Sequence, residues 1–364
     1  MRAGFRRASP KVLAEYSGRC EMDRFELWQK GALRGANMMG PYGARLADLP
    51  VLREWGANLI SFGVGTVLAF EPPFALREDA FGEIERALDA AREAGLYAAI
   101  NFRSAPGRKD FNYDLAFFED FAYHDAFVRM WRETAHRLRG RAELVAYDLM
   151  CEPHPEDLFQ SGPRAPADLP QRMQGTPADW NLLARRATEA IREEDADTPI
   201  IVNASAWAGA RGFAYLEPTG DARTIYSVHC YSPRRFTHQK PEERMPYPGF
   251  VPGHSEPDQD WDRSVIEQVL RPVRTFQESH GTPIFLGEFG CRRFAPGADA
   301  YLTDVLDLAE EWGWTWAYWV FRGGRDWDVE LGPDPNEPRR QPDAPLLRLF
   351  QSYFARNQLF PVLR

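Results

Sequence analysis

The sequence predicts a single (β/α)8 barrel, because short apolar segments alternate with amphipathic helical patterns eight times along one chain. The segments are "ALRGAN" (32–37), "ANLISFGV" (57–64), "LYAAINF" (96–102), "LVAYDLM" (144–150), "PIIVNA" (199–204), "TIYSVHCY" (224–231), "PIFLGEFG" (283–290) and "WTWAYWV" (314–320). Each is nearly continuously apolar, as strands covered on both faces must be. No G-x-G-x-x-G follows the first segment, where "LRGANMMGPYG" spaces its glycines differently. That disfavours the competing open, doubly wound sheet and its dinucleotide chemistry.

In chain order, residues 1–30 read as an N-terminal extension and 31–364 as the barrel. After the first strand Leu46, Leu49, Leu52 and Trp55 space a helix that Gly56 can cap. Phe81, Ile84, Leu88 and Ala91 follow the second strand, with Gly95 as the stop. Phe127, Trp131, Thr134 and Leu138 mark a longer helix ending at Gly140. Val265, Ile266, Val269, Leu270, Val273 and Phe276 mark another. Tyr301, Leu302, Val305 and Leu308 mark the last, ended by Gly313. The spacing is near 3.6 throughout, and glycine supplies the left-handed residue at the C-terminal end.

The 364 residues are 44% hydrophobic with a net charge of -9 and no basic run. Nucleic acid and anionic membrane surfaces are therefore poor partners. The arginines near the N-terminus are not followed by the ~7–15 apolar residues of a secretory signal, and no run approaches the ~20 of a membrane span. Cys20, Cys151, Cys230 and Cys291 show no metal-ligand spacing and read as free thiols in a reducing compartment. A cytoplasmic address with no metal and no cofactor is expected.

Barrel chemistry sits where strands end and βα loops begin. The fourth strand runs into Glu152, the sixth carries His229 and Tyr231, the seventh ends at Glu288 and the eighth at Trp319. Glutamates on strands four and seven can face each other across a barrel mouth. The bland alternative is that each pairs with an arginine at a strand end. His229 and Tyr231 share strand parity, so both should face one side.

"LVAYDLMCEP", "IYSVHCYSPRRFTHQK", "MPYPG", "PIFLGEFG" and "WAYWVFRGG" resemble, in order, segments of glycoside hydrolase family 5, the cellulase-like barrels. "ALRGANMMG" and "GANLISFGV" resemble its first two strands, so the likeness spans roughly residues 31–350. It implies a retaining β-glycosidase acting on a carbohydrate substrate, with Glu152 as acid/base and Glu288 as nucleophile. Tyr231 would orient the nucleophile, His229 would touch sugar hydroxyls, and Trp319 would stack under the sugar. Such chemistry needs two unlike environments, with the acid's pKa raised and the nucleophile ionised. Trp207 stands at the fifth strand's end as sugar platform or packing; Trp261, Trp327 and His238 read as packing and loop shaping.

Three residues depart from the family pattern. Near the end of the second strand, around Ser61, no arginine stands. At the end of the third, "INFRSAPGR" offers Phe102 and Arg103 in place of a histidine. Cys151 replaces the asparagine before the acid, which in the family hydrogen-bonds the sugar 2-OH; a thiol is only a weak donor. Three consequences are open: a changed glycone with Arg103 restoring positive charge beside Glu288, an impaired carbohydrate-binding barrel, or Cys151 acting as nucleophile beside His229. The long segments 232–262 and 154–178 read as a lid and a wall of the cleft.

Overall fold

The computed structural model describes residues 23–40, 43–109, 114–159, 168–253 and 256–358; Cys20 and most of the expected extension lie outside them. All eight expected strands form, trimmed by one to three residues at most ends: β1 (Arg34–Met39), β2 (Leu59–Val64), β3 (Tyr97–Phe102), β4 (Leu144–Asp148), β5 (Ile200–Asn203), β6 (Thr224–Cys230), then, after a small hairpin of β7 (Gly249–Val251) and β8 (Gln259–Trp261), β9 (Ile284–Phe289) and β10 (Thr315–Tyr318). The eight long-range strands pair in parallel into a closed barrel. Closure is made by β1 against β10, with Arg34 opposite Trp316 and Ala36 opposite Tyr318. This is a single-domain (β/α)8 barrel, as the alternation predicts.

Two apolar layers position the site. One lies between strands and helices. It buries the inward faces of α2 (Leu49–Glu54), α3 (Glu78–Ala94), α4 (Phe121–Leu138), α6 (Trp180–Arg192), α8 (Arg263–His280), α9 (Ala298–Glu311) and α10 (Pro345–Phe354). The short helices α5 (Leu169–Met173) and α7 (Arg234–Thr237) lie in loops. Gly95 closes α3 with φ 73°, the left-handed geometry expected of it. Trp261 is fully buried, which matches its reading as packing.

The other layer fills the barrel floor. There α1 (Arg24–Gln29), N-capped by Asp23, inserts Phe25, Leu27 and Trp28 against Leu59, Val145, Ile201, Ile225 and Phe285. Trp28 donates its Nε1–H to Val145 O at 3.0 Å and meets Phe285 edge-on. Residues 24–29, set apart in the sequence as extension, thus form part of the barrel floor. With the floor sealed, the carboxylates are left at the other mouth.

Helix α6 carries no expectation from the sequence. Its inward face is Trp180, Leu183, Ala184, Ala187 and Ile191, an apolar stripe at helical spacing. Asp179, accepting from Leu182 N, is the capping signal that marks its start. Among the described residues no helix is long and apolar enough to cross a membrane.

Candidate active site

Glu152 stands four residues beyond β4, in the left-handed region at φ 50°, a conformation that costs a non-glycine residue about 1–3 kcal/mol. Arg108, fully buried, holds it there. One guanidinium nitrogen donates to Cys151 O at 2.9 Å and another to Glu152 O at 3.0 Å. Cys151 N–H donates to Phe102 O at 2.9 Å, tying this turn to the end of β3.

The sixth strand reaches the same point through an irregularity. Register slips between Val228 and His229, so that His229 pairs opposite Glu288. A Cβ at Gly287 would lie 2.5 Å from Ser227 Oγ and 3.1 Å from His229 Nε2, so only glycine leaves room for this ring. His229 Nδ1 then lies 2.8 Å from Glu152 Oε1 and 3.8 Å from Glu288 Oε2. Tyr231, two residues on, donates its hydroxyl to Glu288 Oε2 at 2.9 Å. Both side chains face the site, as their parity requires.

Glu288, buried at the end of β9, gathers two further partners. Arg103 donates to its Oε1, and Cys151 Sγ lies 3.7 Å from the same oxygen. The Arg103 guanidinium also sits over the Trp319 ring, 4.7 Å from its centroid. The side chain crosses in front of β2 because that strand carries Gly63 next to its end. A Cβ on Gly63 would come within 3.1 Å of Arg103 Nε and 2.6 Å of Met39 Sδ. The departures at strands two and three are therefore linked: no arginine on β2, and an open path for one from β3.

The electrostatics corrects one expectation. Burial pushes the Glu152 carboxyl up, but the His229 hydrogen bond and charge, with Arg103 and Arg108, outweigh it and hold it below its ordinary value. Burial works against charge on His229, yet Glu288 and Glu152 pull its pKa up. The surroundings of Glu152 thus favour its carboxylate form, with His229 as the partner, rather than the raised acid anticipated there. Burial alone would lower Arg103, and the surrounding Cys151, Glu288, Glu152 and Tyr231 reverse that and hold it firmly protonated. The Cys151 thiol is pushed well up by burial, which leaves little thiolate for attack.

Beneath the carboxylates lies a polar layer that sequence reasoning missed. Asp148 is pushed up to about 7 by burial, against the lowering pull of Asn101, His229 and Arg103. Asn203 donates to its Oδ1 at 2.6 Å. Arg108 was missed too, because its partners are backbone carbonyls that no motif records.

Beside Glu152 opens a cavity of about 650 Å³, lined also by His229, Tyr231, Trp207, Arg211, Arg234 and Glu256. Trp207 stacks on His154 at 3.9 Å and donates to Asp157 Oδ2 at 3.1 Å, so it is both packed and cavity-lining. The segment after β6 lines the cavity through Ser232, Arg234 and Glu256. Residues 154–157 brace Trp207 from behind and do not line it. His238 and Trp327 pack around Tyr231. Cys151, Glu152 and His229 also place three donor atoms of metal-ligand type within 4.8 Å of one another.

A closed parallel barrel with paired glutamates at its C-terminal mouth belongs to the class of barrel glycoside hydrolases. The family follows from the sequence: the model of cellulase (glycosyl hydrolase family 5) matches residues 25–324, and the chain belongs to that family of enzymes. The chain is 22% identical over 250 residues to cellodextrinase A of Ruminococcus flavefaciens, covering 67% of each chain. It is 23% identical over 291 residues to endoglucanase C of Acetivibrio thermocellus, covering 73% of this chain and 78% of that one. Among solved structures, endoglucanase Cel5A from Thermotoga maritima superposes with a TM-score of 0.68 at 21% identity, over 90% of this chain and 100% of the other.

Proposed function

We propose that this glycoside hydrolase cleaves β-glycosidic bonds with retention of configuration, using Glu288 as nucleophile and Glu152 as acid/base. The observation that carries the reading is the His229 ring nitrogen, 2.8 Å from one glutamate and 3.8 Å from the other. It holds the nearest carboxylate oxygens no more than about 6.6 Å apart, which accommodates the ~5–5.5 Å spacing of a nucleophilic pair and leaves only the lowest edge of the ~6.5–9.5 Å that admits a water.

Glu288 attacks the anomeric carbon as the bond to the leaving oxygen breaks. That oxygen takes the proton shared by Glu152 and His229. Water then gives a proton to Glu152 and its oxygen to the anomeric carbon, releasing Glu288. Arg103 and Tyr231 donate to Glu288 and keep it aimed, while Arg108 fixes the backbone that carries the acid.

The recognition wall differs from the chemistry. Cys151 offers the sugar 2-position a thiol in place of an amide, so the favoured glycone carries a different or substituted 2-position. The relatives named cellodextrinase and endoglucanase make soluble β-linked glucan oligosaccharides the first substrates to assay, and a cytoplasmic address would suit them. Trp207 is the platform on the leaving-group side. A carbohydrate-binding barrel without turnover is the second reading, favoured by the Arg103 guanidinium lying over the Trp319 ring where a sugar would stack.

A panel of aryl β-glycosides with a mechanism-based 2-fluoro sugar separates the two. The first reading expects turnover on at least one glycone and a covalent adduct on Glu288, lost in Glu288→Gln. No turnover and no adduct on any sugar would leave only the binding barrel.

A further inference from the structure

We infer that Cys151, Glu152 and His229 form a binding site for a thiophilic divalent cation such as zinc, and that its occupancy blocks hydrolysis by capturing the acid/base carboxylate. Metal binding is independent of the proposed hydrolysis; the blocking rests on it.

The donor set is the first argument. Sulfur, imidazole nitrogen and carboxylate oxygen are the three ligand types zinc takes, at about 2.3, 2.0–2.1 and 2.0–2.2 Å. Ligands at those lengths around a tetrahedral centre stand about 3.3–3.7 Å apart. The three donor atoms here all lie within 4.8 Å of one another, and the closest pair is 2.8 Å apart. Small side-chain rotations close the shell without moving a strand. Glu288, with its oxygens 3.7 Å from Cys151 Sγ and 3.8 Å from His229 Nδ1, borders the fourth position. A water completes the coordination equally well.

Charge is the second argument. The field at this point is not generally kind to cations, because Arg103 and Arg108 both stand beside it. Arg103 is already committed to Glu288, and Arg108 to the backbone carbonyls of residues 151 and 152. A dication therefore needs two anionic ligands of its own. Displacing the thiol proton of Cys151 supplies one and Glu152 the other, with neutral His229 as the third donor. An asparagine at 151 would provide neither the charge nor the soft atom. Hard cations such as magnesium and calcium prefer all-oxygen shells and gain nothing from the sulfur.

The consequence follows from where the cation sits. A carboxylate ligating a metal cannot deliver a proton to a leaving oxygen, and the ion stands between acid/base and nucleophile. Inhibition should be competitive with sugar and selective for zinc or cadmium over magnesium.

The test uses the full chain in buffer with a phosphine reductant and cobalt(II) as a spectroscopic probe. One cobalt per chain is expected, with a thiolate-to-cobalt absorption band that zinc displaces. Cys151→Ser should abolish the band and weaken zinc binding at least about 100-fold, beyond the ~10–100-fold that loss of an outer partner costs. Glu152→Gln should weaken it similarly while leaving every thiol in place, which separates this site from Cys230 and Cys291. A band that survives in Cys151→Ser, or no band in the parent protein, overturns the site. Full zinc occupancy with unchanged turnover overturns the blocking. A chain that turns over no sugar still gives the binding result, so failure of hydrolysis and failure of the metal site are distinguishable.

Discussion

Replacing Arg103 by methionine keeps the aliphatic stem beside Trp319 and removes the guanidinium that binds Glu288. The pair is deeply buried, with side-chain exposures of 9% and 6%. After the change Glu288 retains the Tyr231 hydroxyl at 2.9 Å and the weakly donating Cys151 thiol at 3.7 Å. Hydrogen bonds to charged groups contribute about 1.5–3 kcal/mol, and removing one partner of a buried pair costs about 3–5 kcal/mol of stability. If about 2–3 kcal/mol of this is felt in the transition state, kcat/KM falls roughly 30- to 150-fold. The assay is aryl β-glycoside hydrolysis on the best glycone, with urea denaturation run in parallel to separate folding from catalysis. Arg103→Lys keeps the charge but not the fork and should fall between the two. A methionine variant within threefold of the parent on every sugar refutes the role. So does a faster one, which would mean that Arg103 obstructs the sugar at Trp319.

Tyr231→Phe removes one donor to Glu288 and should lower kcat/KM about 10- to 100-fold with the ring packing intact; steady-state kinetics beside an unchanged melting curve checks this. His124, buried between the Phe117 and Phe121 rings, is pushed down to about 4 by burial. The unfolded chain therefore takes up this proton first. The contribution is intact above about pH 6.5 and is lost, to a limit of about 3 kcal/mol, as pH falls toward 4. His124→Phe should flatten the stability–pH curve between those limits relative to the parent, as read by urea midpoints. Trp28→Ala opens the barrel floor and should cost about 3–5 kcal/mol. Its kinetics on the remaining folded fraction should be unchanged, because the floor is at the far end from Glu152 and Glu288.

Legibility in the sequence follows the range of the interaction. The eight strands are readable because each is a continuous apolar run, and burial on both faces leaves no other use for such runs. The helices are readable by their apolar period in the same way, and α6 too carries a full apolar stripe behind its Asp179 cap, so its signal was present in the sequence. Glu152, His229, Tyr231 and Glu288 come together as strand-end position and parity imply. The departures Cys151 and Arg103 are visible as letters, and the expected pairing of Arg103 with Glu288 forms, but the route of Arg103 past Gly63 and the contact of Cys151 with Glu288 are not visible. Arg103 meets Glu288 across 185 residues, and nothing local to either records that route. The sign of the Glu152 shift was likewise out of reach, since it depends on a register slip in β6 that sets His229 opposite Glu288.

Sequence alone thus determined the barrel, the two carboxylates and the family resemblance, because these depend on hydrophobic period and on which residue ends a strand. Tertiary structure alone decided that Gly63 clears the path for Arg103, that Arg108 pins Glu152 in a left-handed turn, and that Cys151, Glu152 and His229 converge. Those outcomes depend on ångström-scale distances between side chains from different strands. Such distances are fixed only once the barrel has closed.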